Sequence, residues 1–268
     1  MRLSVDHRTT YRFTEPQARL VQLLRLTPGN SHDQTVAKWD IHVDCDARMH
    51  TGRDGFGNIT TMLYAEGPLT SIEIAVTGEV VTSHSDGVVH GVAEPLPPAL
   101  YLRATERTPA DPELAALARE VAGDEGSLGA LHALNAVLHQ RRTVDWGRGD
   151  PALDAGEAWR TQAATPRDLA NIFIAAARSL GVPARFVSGY HLTQVDGEHL
   201  PAPHAWAEAH VEGLGWIGFD PCTGRCPEET YVRVATALDA AGAAPVAGSR
   251  LGEGEEELDV DVSVHRED

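Results

Sequence analysis

His204 and Asp220 are the residues of this chain whose types and spacing are best suited to chemistry. They lie in the segment HAWAEAHVEGLGWIGFDP, residues 204–221. This segment predicts two short strands, 204–211 and 215–219, joined by a glycine-containing turn. Adjacent antiparallel strands would bring the imidazole and the carboxylate together. A carboxylate that holds an imidazole in one tautomer allows the ring to act as a general base.

A general base of this kind needs a nucleophile, and the start of a helix is where we expect one. The sequence Thr165-Pro166-Arg167-Asp168 predicts such a start, with Thr165 as N-cap, Pro166 as the first helical residue and Asp168 as the acidic capping partner. An apolar stripe follows at helical spacing, and Gly181 ends the helix. Pro166 has neither a nucleophilic atom nor a backbone N–H.

Composition and charge exclude several classes of function. The 268 residues allow one large domain or two modest ones. The net charge of −17 disfavours nucleic acid and anionic membranes as partners. No apolar run is long enough to span a membrane, and the first residues lack the pattern of a secretory signal, so we expect a cytoplasmic protein.

The cysteines and histidines give no pattern typical of a metal centre. An odd, sparse set of cysteines suits a reducing compartment, and CxxxC spacing without a second pair does not complete a zinc site. The histidines outside the pair lack HEXXH-type spacing, so neither a metal nor a cofactor is predicted. The residues concerned are Cys45, Cys222, Cys226, His191, His199 and His210.

The elements that must position these residues divide the chain into three parts. Residues 1–84 alternate apolar and polar residues and predict a small antiparallel sandwich or barrel-like domain. Residues 85–110 are rich in glycine and proline and predict a connector. Residues 111–268 begin with helical patterns, opening at Asp111-Pro112 and at Ser127, and continue with strands. The predicted class of this last part is therefore α+β.

Several segments, in this order, resemble the transglutaminase-like superfamily, whose core is papain-like. The bacterial subgroup with a β-rich N-terminal region is the most similar, and the resemblance covers nearly the whole chain. The matching segments are RLSVDHRTTYRF and LLRLTPGN near the N-terminus, RDLANIFIAAARSLGVPARFVSGY (167–190), HAWAEAHVEGLGWIGFDP (204–221) and YVRVATALD (231–239).

The resemblance implies a mechanism and assigns residues to it. In the family a cysteine at the start of the central helix attacks a carboxamide carbon, and water or an amine resolves the thioester. The family histidine and aspartate fall on His204 and Asp220. The family pattern of glycine, hydrophobic residue, cysteine, arginine, aspartate, aromatic residue, alanine and histidine reads ATPRDLAN over residues 164–171. The nucleophile position is therefore Pro166.

Proline at this position removes the thiol and, with its N–H, a donor to the oxyanion. One lost oxyanion donor costs about 2.7–4 kcal/mol, and loss of a triad nucleophile costs on the order of 10⁶ in turnover. The leading hypothesis is thus a transglutaminase-like pseudoenzyme that binds a peptide or amide ligand, or a partner protein. The resemblance also implies ATP-grasp and helical proteins as partners.

Two alternatives remain open. The first is an active cysteine-type amidase, peptidase or acyl transferase of the same superfamily, with Cys222 as a relocated nucleophile or with other chemistry at His204 and Asp220. Cys222 lies two residues beyond Asp220, although a small buried residue is the simpler interpretation. The second is an interaction module in which the cleft has no role.

Overall fold

Two long antiparallel strands organise the N-terminal part of the protein. The computed structural model describes residues 1–123, 127–147, 153–192, 200 and 202–267. Strand β1 (Arg2–Thr27) pairs with β4 (Ile59–Thr82) along nearly its whole length, with register shifts between Arg12 and Arg19. Side chains of β1 alternate between buried and more exposed positions, as expected for a half-buried strand. Residues 2–27 therefore form one continuous strand.

Each long strand carries different partners on its two halves. Strands β2 (Gln34–Val43) and β3 (Ala47–Arg53) pair with opposite halves of β4. Strands near the C-terminus, β11 (Val246–Leu251) and β12 (Glu256–Glu267), pair with opposite halves of β1. Within the described residues, the result is one antiparallel sheet of six strands.

The two halves of this sheet share one hydrophobic core. Side chains from both halves, such as Tyr11 and Ile74 from one and Leu20 and Leu63 from the other, belong to a single buried cluster. The N-terminal region is thus sandwich-like in its packing, although its strands form one continuous sheet.

The predicted extent of the second unit, 111–268, differs from the structure at the C-terminus. Strands β11 and β12 belong to the N-terminal sheet and not to the core that precedes them. The reason is the free edge of β1: alternating Val260, Val262 and Val264 in β12 pair along it, and Val262 is buried there. Nothing local in the sequence tells a strand which of two sheets it will join.

Four helices occur in the described part of the second unit. Helix α1 begins after the N-cap Asp111, whose side chain accepts from the N–H groups of Glu113 and Leu114. The shortest helix, α3, was not predicted, and two-residue strands β5 and β6 flank it. The bounds are α1 (Pro112–Ala122), α2 (Ser127–Arg141), β5 (Thr143–Val144), α3 (Ala155–Arg160), β6 (Ala163–Ala164) and α4 (Pro166–Ser179).

An antiparallel sheet follows the helices and packs against α4. Its strand order in the described residues is β10-β7-β8-β9. Residues 168–177 of α4 are all buried, because α1, α2 and α3 cover the sides of α4 that the sheet leaves open. The predicted α+β class is confirmed. The strands are β7 (Ala184–His191), β8 (His204–Val211), β9 (Gly215–Phe219) and β10 (Tyr231–Ala237).

The predicted connector also covers a sheet edge. Val88 forms an antiparallel bridge with Ile217 of β9, and the N–H of Gly218 donates to the carbonyl of Gly87 at 2.8 Å. The carboxylate of Glu94 accepts two hydrogen bonds from the guanidinium of Arg185, at 2.6 and 2.8 Å. These bonds satisfy the open edge of β9 and fix the segment to the core.

Buried amide side chains join the N-terminal sheet to the core sheet. Gln34 accepts from the N–H of Arg233 and donates to its carbonyl, at 2.8 and 2.9 Å. Asn58 does the same with Thr236, at 2.8 and 2.7 Å. Each side-chain amide therefore makes, with one residue of β10, the two backbone hydrogen bonds that a neighbouring strand would make. These bonds fix the relative position of the two sheets.

His7 lies buried at the same junction. Its Nδ1 lies 2.9 Å from the hydroxyl of Tyr190 on β7, and its Nε2 lies 3.1 Å from the hydroxyl of Thr9. Burial lowers the pKa of His7 to about 4, although Asp261 and Asp6 act in the opposite direction. The ring is therefore neutral at physiological pH.

This histidine should make the protein less stable in mild acid. The pKa of His7 is about 4 when folded and 6.5 when unfolded, so the unfolded state binds the proton first. The free energy of unfolding is then undiminished above pH ~6.5 and falls as the pH drops towards 4. When the pH falls from 7.5 to 5, the free energy of unfolding should decrease by about 2 kcal/mol less in His7→Gln than in the unchanged protein. Urea unfolding at both pH values measures this, and equal losses would contradict it.

Candidate active site

A histidine and an aspartate meet in the core sheet where the sequence predicts. His204 is the first residue of β8, and Asp220 directly follows β9, its neighbour. Nε2 of His204 lies 2.8 Å from Oδ2 of Asp220, and both side chains are at most 1 % exposed. The expected hydrogen bond between these residues is present.

Three donors hold the carboxylate of Asp220. The hydroxyl of Tyr231 donates to Oδ2 at 2.7 Å, and the backbone N–H of Cys222 donates to Oδ1 at 2.8 Å. Burial by itself raises the pKa of Asp220, but His204, Tyr231 and the Cys222 N–H outweigh it and lower the pKa. The carboxylate is therefore ionised, and Nε2 of His204 carries the proton that it accepts.

With Nε2 donating to Asp220, the neutral form of the His204 ring has Nδ1 as a lone-pair acceptor. Nδ1 is buried and has no hydrogen-bond partner among the residues that the structure describes. The indole of Trp146 stacks with the imidazole, at a centroid separation of 6.1 Å and an interplanar angle of 27°. An oriented imidazole with a free lone pair can take a proton from a group brought next to it.

A cavity of about 680 Å³ contains this histidine in its wall. The core contributes Trp146, Pro166, Ser188 and His204. The N-terminal sheet contributes the facing wall, with lining residues His7, Thr9, Tyr11, Leu258 and Val260. The volume lies in the range typical of sites for small organic ligands. Pro166 and His204 thus line one cavity.

The start of α4 is a complete capping box. The hydroxyl of Thr165 accepts from the N–H of Asp168 at 3.2 Å and donates to its carboxylate at 2.7 Å. The same carboxylate accepts from the N–H of Thr165 and from the guanidinium of Arg167. Thr165 is therefore occupied by capping, as the sequence predicts, and Pro166 is the first helical residue.

Cys222 lies behind the pair and not in the cavity wall. It is buried against Ala164 and Leu169 and is not among the described residues that line the cavity. Burial, and then the charge and hydrogen bonding of Asp220, raise the pKa of its thiol well above the usual value. The side chain is therefore a protonated thiol at neutral pH.

Two neighbours of the pair were not singled out from the sequence. His191 ends β7, and its ring lies 5.1 Å from that of His204 and stacks on Tyr231 at 3.9 Å between centroids. Burial is the main cause that lowers the pKa of His191, to about 3. Only the strand register could have indicated that these residues lie near the pair, because His191 pairs with Tyr231 and Gly189 pairs with His204.

The sequence shows no set of histidines with the spacing of a metal site, but the fold brings one of those histidines next to the His–Asp pair. His210 lies towards the other end of β8 against Trp216, and His199 lies outside the described residues. His191, however, joins His204 and Asp220, with potential ligand atoms within 4.8 Å of one another. These potential metal ligands come from different strands, so a search for ligand spacing along the sequence does not find them.

The fold and the site define a papain-like core, in which a helix start and the histidine of a His–Asp pair line one cavity. The sequence model that defines the transglutaminase-like superfamily matches residues 115–221. That of the bacterial transglutaminase-like N-terminal region matches residues 3–81. Together these matches span more than half of the chain. The protein belongs to the transglutaminase-like superfamily, in the bacterial subgroup with a β-rich N-terminal region.

Relatives match this chain along nearly its whole length. An uncharacterized protein of Mycobacterium leprae is 26% identical and covers 99% of each chain. One of Mycobacterium bovis is 25% identical and covers 98% of this chain and 91% of its own. A crystal structure from Cytophaga hutchinsonii, described as that of a proposed cysteine protease, shares the fold with a TM-score of 0.78. It is 22% identical and covers 100% of this chain and 92% of its own.

Among the described residues, no helix is both long enough and apolar enough to cross a membrane.

Proposed function

We propose that this protein is a transglutaminase-like pseudoenzyme that binds a peptide or amide ligand, or a segment of a partner protein, in the cavity beside His204. In this proposal Pro166 occupies the position of the nucleophilic cysteine. The observation that carries it is the shared cavity wall: Pro166, the first residue of α4, lines the same cavity as His204, whose Nδ1 is without a partner in the described residues.

Proline at the first helical position keeps the helix and removes the chemistry. The first N–H of a helix has no intrahelical acceptor, so Pro166 costs α4 no hydrogen bond. The thiol and the amide donor to an oxyanion are both absent from this residue. The capping box formed by Thr165 and Asp168 supports the same helix start without any contribution from residue 166.

The site remains suited to an amide-bearing ligand. Nδ1 of His204 is a buried acceptor, and an unsatisfied buried acceptor costs about 1–3 kcal/mol. A ligand N–H that reaches Nδ1 would remove this cost. The cavity wall is largely apolar, with Phe186, Leu258 and Val260, and carries a few polar groups such as Ser188 and Asn171. This combination is typical of sites that orient a small organic group.

The runner-up, catalysis by Cys222, is disfavoured by the surroundings of that thiol. We expect iodoacetamide to alkylate Cys222 in the native protein at least ~10-fold more slowly than in the denatured protein, because the buried thiol is protonated at neutral pH. Peptide mass spectrometry over a labelling time course measures both rates. A fast-labelling Cys222, whose replacement by alanine abolished a measured turnover, would favour the active enzyme. Other chemistry at His204 and Asp220 remains the alternative if turnover survives that replacement.

The direct test of the proposal is a screen of the unchanged protein against glutamine-containing peptides. We expect saturable binding by ligand-observed NMR and no hydrolysis, deamidation or amine transfer by mass spectrometry. Turnover sensitive to thiol reagents would contradict the pseudoenzyme. Absence of binding by any peptide would favour an interaction module in which the cavity has no role.

Partners and location remain predictions. The family resemblance implies ATP-grasp and helical proteins as partners in peptide metabolism. The sparse, unpaired cysteines support a reducing compartment such as the cytoplasm, and the net charge of −17 disfavours nucleic acid. Affinity purification of the tagged full chain from its own organism, followed by mass spectrometry, tests the partner assignment.

A further inference from the structure

Three side chains of metal-ligating type converge beside the cavity. His191 lies at the end of β7, His204 at the start of β8 and Asp220 directly after β9. One potential ligand atom from each lies within 4.8 Å of the other two. All three belong to neighbouring strands of one antiparallel sheet or to its immediate end, so their backbone positions are fixed by strand pairing.

Two of these side chains carry a buried ring nitrogen that nothing described in the structure satisfies. Nδ1 of His191 and Nδ1 of His204 each lack a hydrogen-bond partner among the described residues. The two rings are neighbours, with centroids 5.1 Å apart. Buried polar atoms in native proteins are nearly always paired, with protein, water or an ion. Nδ1 of His204 is the acceptor for the proposed ligand in the cavity, whereas Nδ1 of His191 has no other role in the site and indicates a missing ligand of that ring.

We propose that His191, His204 and Asp220 form a binding site for a divalent first-row transition metal ion, with Zn²⁺ as the representative ion. Two imidazoles and one carboxylate are a nitrogen-rich set that suits Zn²⁺, whereas Mg²⁺ and Ca²⁺ prefer oxygen ligands. Three protein ligands leave a fourth coordination position for water or a small ligand.

The distances within the cluster support this assignment. Nε2 of His204 and Oδ2 of Asp220 are 2.8 Å apart. Two ligands that each lie about 2.1 Å from one tetrahedral ion are about 3.4 Å apart, so an opening of roughly 0.6 Å lets this pair hold the ion. An ion bound at Nε2 would displace the proton of that nitrogen to Nδ1, so His204 would coordinate as a neutral imidazole beside the ionised carboxylate.

The residues around the cluster already orient it. The hydroxyl of Tyr231 and the N–H of Cys222 hold the carboxylate of Asp220, at 2.7 and 2.8 Å. The ring of Tyr231 also stacks on His191 at 3.9 Å, with an interplanar angle of 18°. Groups that orient metal ligands in this way typically raise metal affinity by about 10–100-fold.

This inference concerns the same histidine as the proposed function but does not depend on the identity of residue 166. A bound ion would occupy His204 and prevent it from acting as a base. Metal binding and restored thiol chemistry can therefore be tested separately, the first by adding Zn²⁺ and the second with EDTA present.

The test is a titration of the full chain, stripped of metal by EDTA and then exchanged into buffer without chelator, with Zn²⁺ followed by calorimetry. We expect one ion per chain, and at least ~100-fold weaker binding in His191→Ala and His204→Ala, each of which removes a ligand. His210→Ala is the matched control, because His210 lies on the same strand as His204 but outside the cluster. Its affinity should equal that of the unchanged protein.

Co²⁺ in place of Zn²⁺ gives a second readout that needs no variant. The unchanged protein should show visible absorption of a low-symmetry Co²⁺ site with nitrogen and oxygen ligands. If His191→Ala does not fold, as judged by circular dichroism, His191→Gln replaces it in the titration. Absence of stoichiometric Zn²⁺ binding, or binding that both ligand variants leave unchanged, would overturn the proposal. Either result would leave the assignment of Pro166 unaffected.

Discussion

Pro166→Cys should gain hydrolysis of glutamine-containing peptide amides, a reaction that we expect the unchanged protein not to catalyse. The substitution restores a thiol and a backbone N–H at the start of α4, in the cavity wall that also contains His204. Nδ1 of His204 is available to take the thiol proton, because Nε2 is held by Asp220. A positioned general base contributes about 10²–10⁴-fold, so a gain of at least ~10²-fold over the unchanged protein is expected.

The matched control is Pro166→Ala, which restores the N–H without a thiol and should remain inactive. The double variant Pro166→Cys, His204→Ala should lose the gained activity. All variants should fold equally well, because the capping box of Thr165 and Asp168 holds the start of α4. Ammonia release in EDTA-containing buffer measures the turnover. A folded Pro166→Cys variant with no activity and no acyl-enzyme by mass spectrometry would indicate that more than one residue silences the site.

Glu208→Ala should strongly destabilise the core sheet. Glu208 on β8 is fully buried, and its carboxylate accepts from Arg185 on β7 and Arg233 on β10, each at 2.6 Å. Arg185 is also buried, with its guanidinium 3.9 Å from the ring centre of Trp216. Truncation leaves a buried guanidinium short of a counter-ion, which costs about 3–5 kcal/mol.

A surface ion pair provides the comparison for this prediction. Arg48 and Glu66 are more than 70 % exposed, and Glu66→Ala should change stability by less than ~0.5 kcal/mol. Urea unfolding followed by circular dichroism gives the free energy of unfolding for both variants. Equal, small effects would show that Arg185 is sufficiently paired by Glu94 alone.

The carboxylate of Glu208 should also make the stability of the protein depend on pH in acid. Burial raises the pKa of Glu208, but Arg233 and Arg185 outweigh it and lower the pKa from 4.5 to about 2. Since the folded pKa is below the unfolded one, the contribution is complete above pH ~4.5 and is lost as the pH falls towards 2. In Glu208→Ala this part of the pH dependence should disappear.

The parts of the site that the sequence predicts are those with local signals. The start of α4 follows from Thr165, Pro166 and Asp168, because a capping box and an N-terminal proline act within one helical turn. The bounds of β8 and β9 follow from their glycine turn and from Gly215 in particular, which has a positive φ. Strand adjacency then places His204 next to Asp220.

The parts that the sequence does not predict depend on long-range register. His191 and Tyr231 reach the pair only because β10 lies beside β7, and no pattern within either strand indicates that neighbour. Strands β11 and β12 return to β1 for the same reason. The six-residue helix α3 is too short to show a helical period, although Asp154 and Glu157 form its capping box.

The reactivity of a thiol introduced at residue 166 tests the central claim most directly. Iodoacetamide alkylation rates of Pro166→Cys, measured from pH 4 to 10 in EDTA, give the pKa of that thiol with and without the additional change His204→Ala. We expect a pKa below ~7.5 that returns to ~8.5 or higher when the imidazole is removed. An unshifted pKa that is the same in both variants would contradict the placement of Pro166 at the nucleophile position opposite His204.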